Sequence, residues 1–239
     1  MSTTVPPAGI RVASYNVHAG VGRDGLFNPE RIAGVVCELG ADVVGLQEVR
    51  LGAESSKMLD CLTQRTGMTC ITGPTLSRPL HGEYGNALFT RHKVVSTRRI
   101  DLCVFGREPR GALDAVIDCG FPLRVIATHL GLRPFERREQ VARLLAALTD
   151  DEGSQGEMTT VLLGDINEWF LWGRPLRWLH AHFRSLPPRR TFPSGSPVLA
   201  LDRIWVKPYR LVRRVQAYRS PEARIASDHL PLIADIGAG

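Results

Sequence analysis

Four strand-like segments follow one another in the middle of this chain, and this block limits the folds that the chain can adopt. They are Asn86–Arg91, Val94–Leu102, Ala112–Cys119 and Leu123–Leu130. Strands joined without an intervening helix pair antiparallel, because a parallel pair needs a long crossover connection. A doubly wound parallel sheet, in which strands and helices alternate strictly, therefore does not fit this sequence.

The segments on either side of that block alternate between strand and helix. Further strands are predicted at Ile10–His18, Asp42–Val49, Thr160–Asp165, Leu201–Val206, Arg214–Tyr218 and Pro231–Ile236. Helices are predicted at residues 28–40, where Asn-Pro-Glu supplies a cap and an early acid, at Glu54–Thr66 and from Phe135 to about Leu148. This order favours an α/β (α+β) fold in which two mixed, mainly antiparallel sheets form a four-layer α/β/β/α sandwich.

A chain of 239 residues is large enough for one substantial core, so residues 1–239 are predicted to form one domain, with residues 1–8 as a disordered tail. The N-terminus, MSTTVPPAGI, has no basic start followed by an apolar stretch, and we expect no signal peptide. We also expect no transmembrane segment, which needs roughly 20 apolar residues. These features predict a cytoplasmic protein and leave peripheral contact with a membrane open. We also expect a monomer.

The formal net charge of +6 indicates an anionic partner, which can be a nucleic acid, a phospholipid surface or a phosphorylated small molecule. The arginines are spread along the chain, and Arg137, Arg138 and Arg143 on the third predicted helix are interpreted as a solvated face. The five cysteines include no Cys-x-x-Cys pair, which predicts buried thiols in a reducing compartment and argues against zinc.

Two hexapeptides near the C-terminus place a carboxylate and an imidazole where they can meet. LDRIWV carries Asp202 at the start of a strand, and SDHLPL carries Asp228 and His229 at the entrance of a later strand. A carboxylate that orients an imidazole fixes one tautomer and makes the ring a usable base near neutral pH. A solvated turn would explain SDHLPL alone, but not the polar residues that end other strands.

Several predicted strands that could line a core end in polar residues that a buried strand does not need. They include Asn16, Glu48, His129, Asp165 and Asn167. A capped strand end explains any one of them, whereas polar groups converging at the ends of several strands make a site. Oxygen ligands without thiolates suit Mg²⁺ or Mn²⁺, histidines supply acid–base capacity, and Asn and Arg donate to phosphate oxygens. Together these residue types indicate hydrolytic attack on a phosphoester.

Across essentially its whole length the sequence resembles the endonuclease/exonuclease/phosphatase superfamily, with its deoxyribonuclease I-like fold, and in particular small bacterial members. The matching segments, in the family's order, are SYNVHAG, VVGLQEVR, YGNALFT, REPRGAL, ATHLG, LLGDINEW, LDRIWV and SDHLPL. The resemblance implies a Mg²⁺- or Mn²⁺-dependent hydrolase in which Glu48 is the principal metal ligand with Asn16 beside it. It also implies that Asp165 orients or deprotonates the attacking water and that Asn167 holds a phosphate oxygen.

The same resemblance implies roles for the histidines. His229 corresponds to the base or phosphate-polarising histidine, oriented by Asp202, with Asp228 close to the metal or the phosphate. His129 in ATHLG corresponds to a second active-site histidine found in the nuclease and sphingomyelinase branches.

The segment REPRGAL offers two candidate phosphate-binding arginines. Arg110 is slightly favoured over Arg107, because it directly precedes the Gly-Ala-Leu strand. Tyr84 and Asn86, in the preceding motif, are weaker candidates, and their interpretation as residues of a strand edge is preferred.

The sequence departs from the apurinic-site endonucleases of the superfamily, which carry an Asp where this chain has His18. The stretch TFPSGSPVLALDRIWVKP instead resembles small bacterial members, some of which are linked to phospholipid metabolism. The run Trp169–Trp172 is interpreted as an exposed apolar segment beside the site, which could meet a lipid surface or stack on nucleobases. Trp178 and Leu179 are assigned to a short helix that covers the core.

Three hypotheses about function follow. The first is a metal-dependent phosphodiesterase that acts on a phospholipid or a related small phosphodiester. The second is an endonuclease with little sequence specificity, which would recognise phosphates through the basic charge. The third is a catalytically silent phosphate-binding protein on the same fold. The argument against it is that every expected catalytic position is filled.

Overall fold

The computed structural model describes residues 9–51, 56–78, 82–152 and 158–237. The tail predicted for residues 1–8 and the predicted start of the second helix at Glu54 lie outside these ranges. In the described part, no helix is both long enough and apolar enough to cross a membrane.

The described residues form eleven strands and five α-helices. The strands are β1 (Ile10–Asn16), β2 (Val43–Arg50), β3 (Thr69–Arg78), β4 (Gly82–Thr90), β5 (Lys93–Asp101), β6 (Gly111–Asp118), β7 (Pro122–His129), β8 (Thr159–Asp165), β9 (Asp202–Lys207), β10 (Val212–Ala217) and β11 (Leu232–Ile236). The helices are α1 (Pro29–Leu39), α2 (Ser56–Thr66), α3 (Pro134–Glu152), α4 (Arg174–Phe183) and α5 (Ala223–Ala226).

The strands form two sheets, a six-stranded sheet in the order β10-β11-β1-β2-β4-β3 and a five-stranded sheet in the order β5-β6-β7-β8-β9. Each sheet contains one parallel pair, β1 with β2 and β7 with β8, and every other neighbouring pair is antiparallel. The prediction of two mixed, mainly antiparallel sheets is confirmed.

The two sheets pack face to face over an apolar layer. Val12, Val43 and Leu88 of the six-stranded sheet belong to the same buried cluster as Val125 and Leu163 of the five-stranded sheet. Full burial of side chains of this size stabilises the fold by about 1.5–3 kcal/mol each. This layer fixes how the strand ends of one sheet lie against those of the other.

Helices cover the outer face of each sheet. Ile32 of α1 and Leu62 of α2 belong to one buried cluster with Tyr15 of the six-stranded sheet. Leu144 of α3 shares another cluster with Trp205 of the five-stranded sheet. The predicted four-layer α/β/β/α sandwich is therefore confirmed.

The sequence did not predict β3, although it is a long strand. Gly73-Pro74 interrupts its apolar pattern, and both residue types usually weaken a strand. Among the described strands, β3 is the last of its sheet and pairs only with β4, and its register shifts next to Pro74, so a proline is tolerated there. The short helix assigned to Trp178 and Leu179 is present as α4.

Two predictions about burial were wrong. Of the five cysteines, Cys61 is buried, whereas Cys37 is exposed and the other three are half-buried. Arg137 is not solvated: it is 3% exposed, and its guanidinium lies 3.2 Å from the Glu168 carboxylate. Arg137 also donates to the Leu132 carbonyl at 2.6 Å, so it links the loop before α3 to Glu168 in the loop after β8.

We expect the Arg137–Glu168 pair to matter for stability, because removing one partner leaves the other charge buried. Glu168→Ala should lower the free energy of unfolding by about 3 kcal/mol in a urea titration. The matched control is Glu139→Ala, whose exposed partner Arg143 lies one helical turn away and whose loss should cost at most about 0.5 kcal/mol. Equal losses in the two variants would contradict this expectation.

Candidate active site

Four strands end in polar side chains at one edge of the sandwich, called here the polar edge. Its side chains are those of Asn16 on β1, Glu48 on β2, His129 on β7 and Asp165 on β8. Because the two parallel pairs are β1 with β2 and β7 with β8, the strands of each pair end on the same side. Both sheets thereby contribute to one group of side chains.

A β-bulge sets the direction of Glu48. The register between β2 and β4 shifts between Leu46 and Val49, so that β2 carries one extra residue there. Glu48 has a φ of 59°, a left-handed conformation that is costly for a residue with a side chain. Bulges of this kind change the direction of a side chain next to functional sites. The Glu48 side chain keeps 23% of its surface exposed.

Asn16 joins the two sheets through its side-chain amide. Its Nδ2 donates to Glu48 Oε1 at 2.9 Å and to Asp165 Oδ2 at 3.0 Å. Its Oδ1 accepts from the backbone N–H of His18 at 3.0 Å. The buried amide therefore holds the two carboxylates at a fixed separation.

The register of the five-stranded sheet aligns three polar side chains. His129 lies opposite Asp165 between β7 and β8, and Asp165 lies opposite Asp202 between β8 and β9. Gly164 permits this close approach: its φ is 148°, and a Cβ there would lie 1.9 Å from the carbonyl oxygen of Thr128. Any other residue would push β7 and β8 apart at the polar edge.

His229 and Asp202 form a buried hydrogen-bonded pair. His229 Nδ1 lies 2.8 Å from Asp202 Oδ2, which also accepts the Thr191 hydroxyl at 2.5 Å. Burial by itself lowers the pKa of His229, but the neighbouring carboxylates, above all Asp202, outweigh it and raise the pKa to about 10. The ring is therefore protonated at neutral pH and directs Nε2 towards Asp165 Oδ2, 3.6 Å away.

The turn SDHLPL is anchored by its serine. The Ser227 hydroxyl donates to the backbone carbonyl of Asn16 at 2.7 Å and accepts the backbone N–H of His229 at 3.2 Å. Asp228 is half-buried, and its carboxylate lies 3.3 Å from the same hydroxyl. The turn is thereby fixed to the end of β1, next to the polar edge.

His129 is held as a neutral ring. Burial, followed by the positive charge of Arg110, lowers the pKa of His129 to about 3. Because a guanidinium can only donate, Arg110 Nη1 donates to Nδ1 at 3.2 Å, which leaves the ring proton on Nε2. That N–H faces Asp165 Oδ2 at 3.7 Å. Asn167 Nδ2, which donates to the Leu130 carbonyl at 2.9 Å, lies 3.0 Å from the same ring nitrogen, and this is a contact between two donors. Asn167 has a left-handed φ of 54° and belongs to the same group.

The structure separates the two candidate arginines. The Arg110 side chain is 8% exposed, contacts His129 and has a buried Nε that has no hydrogen-bond partner among the described residues. The Arg107 side chain is 40% exposed, pairs with Glu136 at 3.3 Å and lies over the Phe135 ring. Arg110 therefore contacts the polar edge, whereas Arg107 contacts two residues of α3.

Two residues near the polar edge were not assigned to the site from the sequence. Tyr84, interpreted as a residue of a strand edge, has a pKa raised by burial and by the Glu48 carboxylate, to which its hydroxyl hydrogen-bonds. Thr191 holds Asp202, and no pattern in the sequence marked it. Asn86 donates to the Gly111 carbonyl at 3.1 Å, as a structural residue would.

The donor set at Glu48 fits a hard cation. Among the described residues, no Lys or Arg lies within ion-pair distance of this partly exposed carboxylate, and its histidine neighbour, His129, is neutral. Asp165, Asp202 and His229 also have ligand atoms within 4.8 Å of one another. Since Asp202 is fully buried and already bonded to His229 and Thr191, that second group suits proton handling better than metal binding.

The sequence matches one family model and a bacterial relative over most of its length. A family model described as the Endonuclease/Exonuclease/phosphatase family matches residues 13–229. The Escherichia coli (strain K12) protein YbhP is 31% identical over 256 residues, and the match covers 95% of each chain.

Solved structures with similar folds include two from very different organisms. The human Nocturnin catalytic domain, solved with a bound sulfate anion, has a TM-score of 0.74 and 24% identity, covering 97% of this chain and 94% of its own. The mannosyl-6-phosphatase of Bacteroides thetaiotaomicron has a TM-score of 0.75 and 20% identity, covering 96% of this chain and 100% of its own. At these identities the likeness concerns the fold.

Proposed function

Since the chain belongs to the endonuclease/exonuclease/phosphatase family, we propose that it is a divalent-metal-dependent phosphodiesterase acting on a phospholipid or a related small phosphodiester. The family's name describes enzymes that cleave phosphoester bonds, which sets the reaction class. The observation that carries the proposal is the polar edge, where an amide joins carboxylates of both sheets and an imidazole is hydrogen-bonded to a third carboxylate. The proposed protein is a cytoplasmic monomer that meets its substrate at the membrane surface.

The proposed cofactor is Mg²⁺ or Mn²⁺, held by Glu48 with Asn16 beside it. In support, Glu48 combines partial exposure with a negative charge that no described Lys or Arg neutralises. When bound, such a cation offsets negative charge on the phosphate and the leaving oxygen.

We assign to Asp165 the role of base, which accepts a proton from the attacking water. This carboxylate is 1% exposed, accepts from Asn16 through Oδ2 and from the backbone N–H of Asn167 through Oδ1. Burial raises the pKa of Asp165, which makes it a better base than an exposed carboxylate. The two hydrogen bonds hold it in one orientation towards the attacking water.

Phosphate oxygens would be held by donors around that carboxylate. His229 is protonated at neutral pH, which favours the phosphate-polarising role over the base, with Asp202 fixing the ring. Asn167, Arg110 and the neutral ring of His129 complete the proposed donor set. Asp228, next to His229, also raises the pKa of that ring, but less than Asp202 and Asp165 do.

An endonuclease with little sequence specificity is the second candidate, supported by the net charge of +6. The exposed apolar run Trp169–Trp172 favours the lipid substrate over it, because phosphate recognition along a nucleic acid does not need exposed Leu171. A catalytically silent phosphate-binding protein has the least support, since each position of the proposed machinery carries a residue able to act.

A substrate panel with Mg²⁺ and with Mn²⁺ tests the proposal. Bis-p-nitrophenyl phosphate, phospholipid vesicles, sphingomyelin, RNA, single-stranded DNA and plasmid DNA are compared. We expect hydrolysis of the chromogenic diester and of a phospholipid, complete loss of both with EDTA, and weak cleavage of DNA. Efficient plasmid cleavage that falls steeply with salt, and that Glu48→Gln abolishes, would favour the nuclease instead.

A further inference from the structure

Three loops that leave the polar edge of the five-stranded sheet expose large apolar side chains. The β5–β6 loop carries the fully exposed Phe105, the loop into α3 carries Leu132 and leads to Phe135 in the first turn of that helix, and the loop into α4 carries the run Trp169–Trp172. These residues are called here the apolar rim; Trp172 is the most exposed of the four in the run, at 73%. Grouped exposed apolar residues of this size mark interaction sites on monomeric proteins.

The apolar rim is held in place by polar contacts beneath it. The buried pair of Arg137 and Glu168 joins two of the loops, and Glu168 Oε1 accepts the backbone N–H of Phe170 at 3.2 Å. Arg107 lies 5.0 Å from the centre of the Phe135 ring and pairs with Glu136, which joins the third loop. The three loops therefore present one surface with a fixed arrangement.

The charge around the apolar rim is positive. Every acidic side chain of the three loops and of the first two turns of α3 is in an ion pair, and these pairs are Glu108–Arg110, Glu136–Arg107, Glu139–Arg143 and Glu168–Arg137. Four further arginines are exposed and have no ion pair within the part of the chain that the structure describes: Arg133, Arg138, Arg174 and Arg177. The apolar rim is thus surrounded by a surplus of positive charge.

We propose that the apolar rim docks onto the headgroup region of an anionic phospholipid bilayer. Tryptophan and phenylalanine suit the boundary between headgroups and acyl chains, and arginines beside them bind anionic headgroups. The docking itself follows from this surface, whereas its catalytic consequence, delivery of a lipid phosphodiester to the polar edge, rests on the proposed function.

Two other occupants fit the surface less well. A second copy of the chain would bring the same arginines against one another, so like charges would oppose association. A nucleic acid would stack its bases on aromatic faces, but Leu132 and Leu171 have no such face, although both are at least half exposed.

Intrinsic fluorescence tests the docking, because three of the four tryptophans, Trp169, Trp172 and Trp178, are exposed in or beside the rim, while Trp205 is buried. Full-length Glu48→Gln protein, chosen so that no lipid is consumed, is mixed with phosphatidylcholine vesicles with and without phosphatidylglycerol. We expect a blue shift and co-sedimentation with the anionic vesicles, both weakened by salt.

Two sets of variants connect binding to this surface. The triple change Trp169→Ser, Phe170→Ser, Trp172→Ser should lower vesicle partitioning at least about tenfold, whereas Val95→Ser, an equally exposed apolar residue on β5, should not. Arg133→Gln and Arg177→Gln should each lower it about fivefold and reduce its salt dependence. Arg210→Gln, exposed elsewhere, is the control.

Several outcomes would overturn the docking. They are equal vesicle binding by the triple variant, a blue shift with single-stranded DNA but not with vesicles, and a blue shift with rising protein concentration alone. Failure of the proposed function has a different signature. In that case the protein would bind anionic vesicles as expected and hydrolyse no phosphodiester, soluble or lipid.

Discussion

Glu48→Gln should lower kcat/KM for a soluble chromogenic phosphodiester by at least about 10²-fold. The substitution keeps the length and shape of the side chain and its hydrogen-bonding partner Asn16, but it removes the negative charge that would hold a hard cation. Because the bulge in β2 fixes the backbone at this position, the glutamine should occupy the same place. The free energy of unfolding should change little.

The loss should appear in metal binding as well as in turnover. Calorimetric titration with Mg²⁺ should show binding to the original protein and at least about tenfold weaker binding to Glu48→Gln. Glu30→Gln, which alters an exposed carboxylate paired with Arg65, is the matched control and should change neither quantity. A Glu48→Gln protein that binds Mg²⁺ and turns over normally would end the assignment of Glu48 as a metal ligand.

The polar residues at the strand ends could be predicted from the sequence, because the signal for them lies within a few neighbouring residues. A polar residue after an apolar run is visible in the sequence itself, so Asn16, His129 and Asp165 were found without the structure. Their separations could not be found in this way, because they depend on the strand order β7-β8-β9 and on the contact between two sheets. The bulge that turns Glu48 is likewise set by pairing with a strand far along the chain.

The arginines show where sequence patterns fail. A charged residue on an amphipathic helix is usually solvated, and Arg138 follows that pattern. Arg137 does not, because it is buried in a pair with the carboxylate of Glu168, 31 positions away. Arg107 and Arg110 share one motif, but Arg110 contacts His129 at the polar edge, whereas Arg107 packs against Phe135 of the apolar rim. Only the tertiary partners distinguish them.

Asp202→Asn should lower kcat/KM and move its alkaline limb to lower pH. Burial lowers the pKa of His229, while the carboxylates around it, Asp202 foremost, raise the pKa to about 10. In the proposed role the ring acts while protonated, so activity should be lost as the pH rises through about 10. With the Asp202 charge removed, the remaining burial lowers the pKa of His229, and activity should be lost at a lower pH.

His229→Ala should cost about 10²–10⁴-fold in kcat/KM, and adding Asp202→Asn to it should cost little more. If Asp202 acts only by orienting and charging the ring, then removing the ring removes the effect of Asp202 as well. A double-mutant cycle on kcat/KM measures this coupling, and Asp235→Asn, whose carboxylate pairs with Arg11 on the six-stranded sheet, serves as the uncoupled control. Fully additive losses would show that His229 and Asp202 act independently, and the alkaline limb would then need another titrating group.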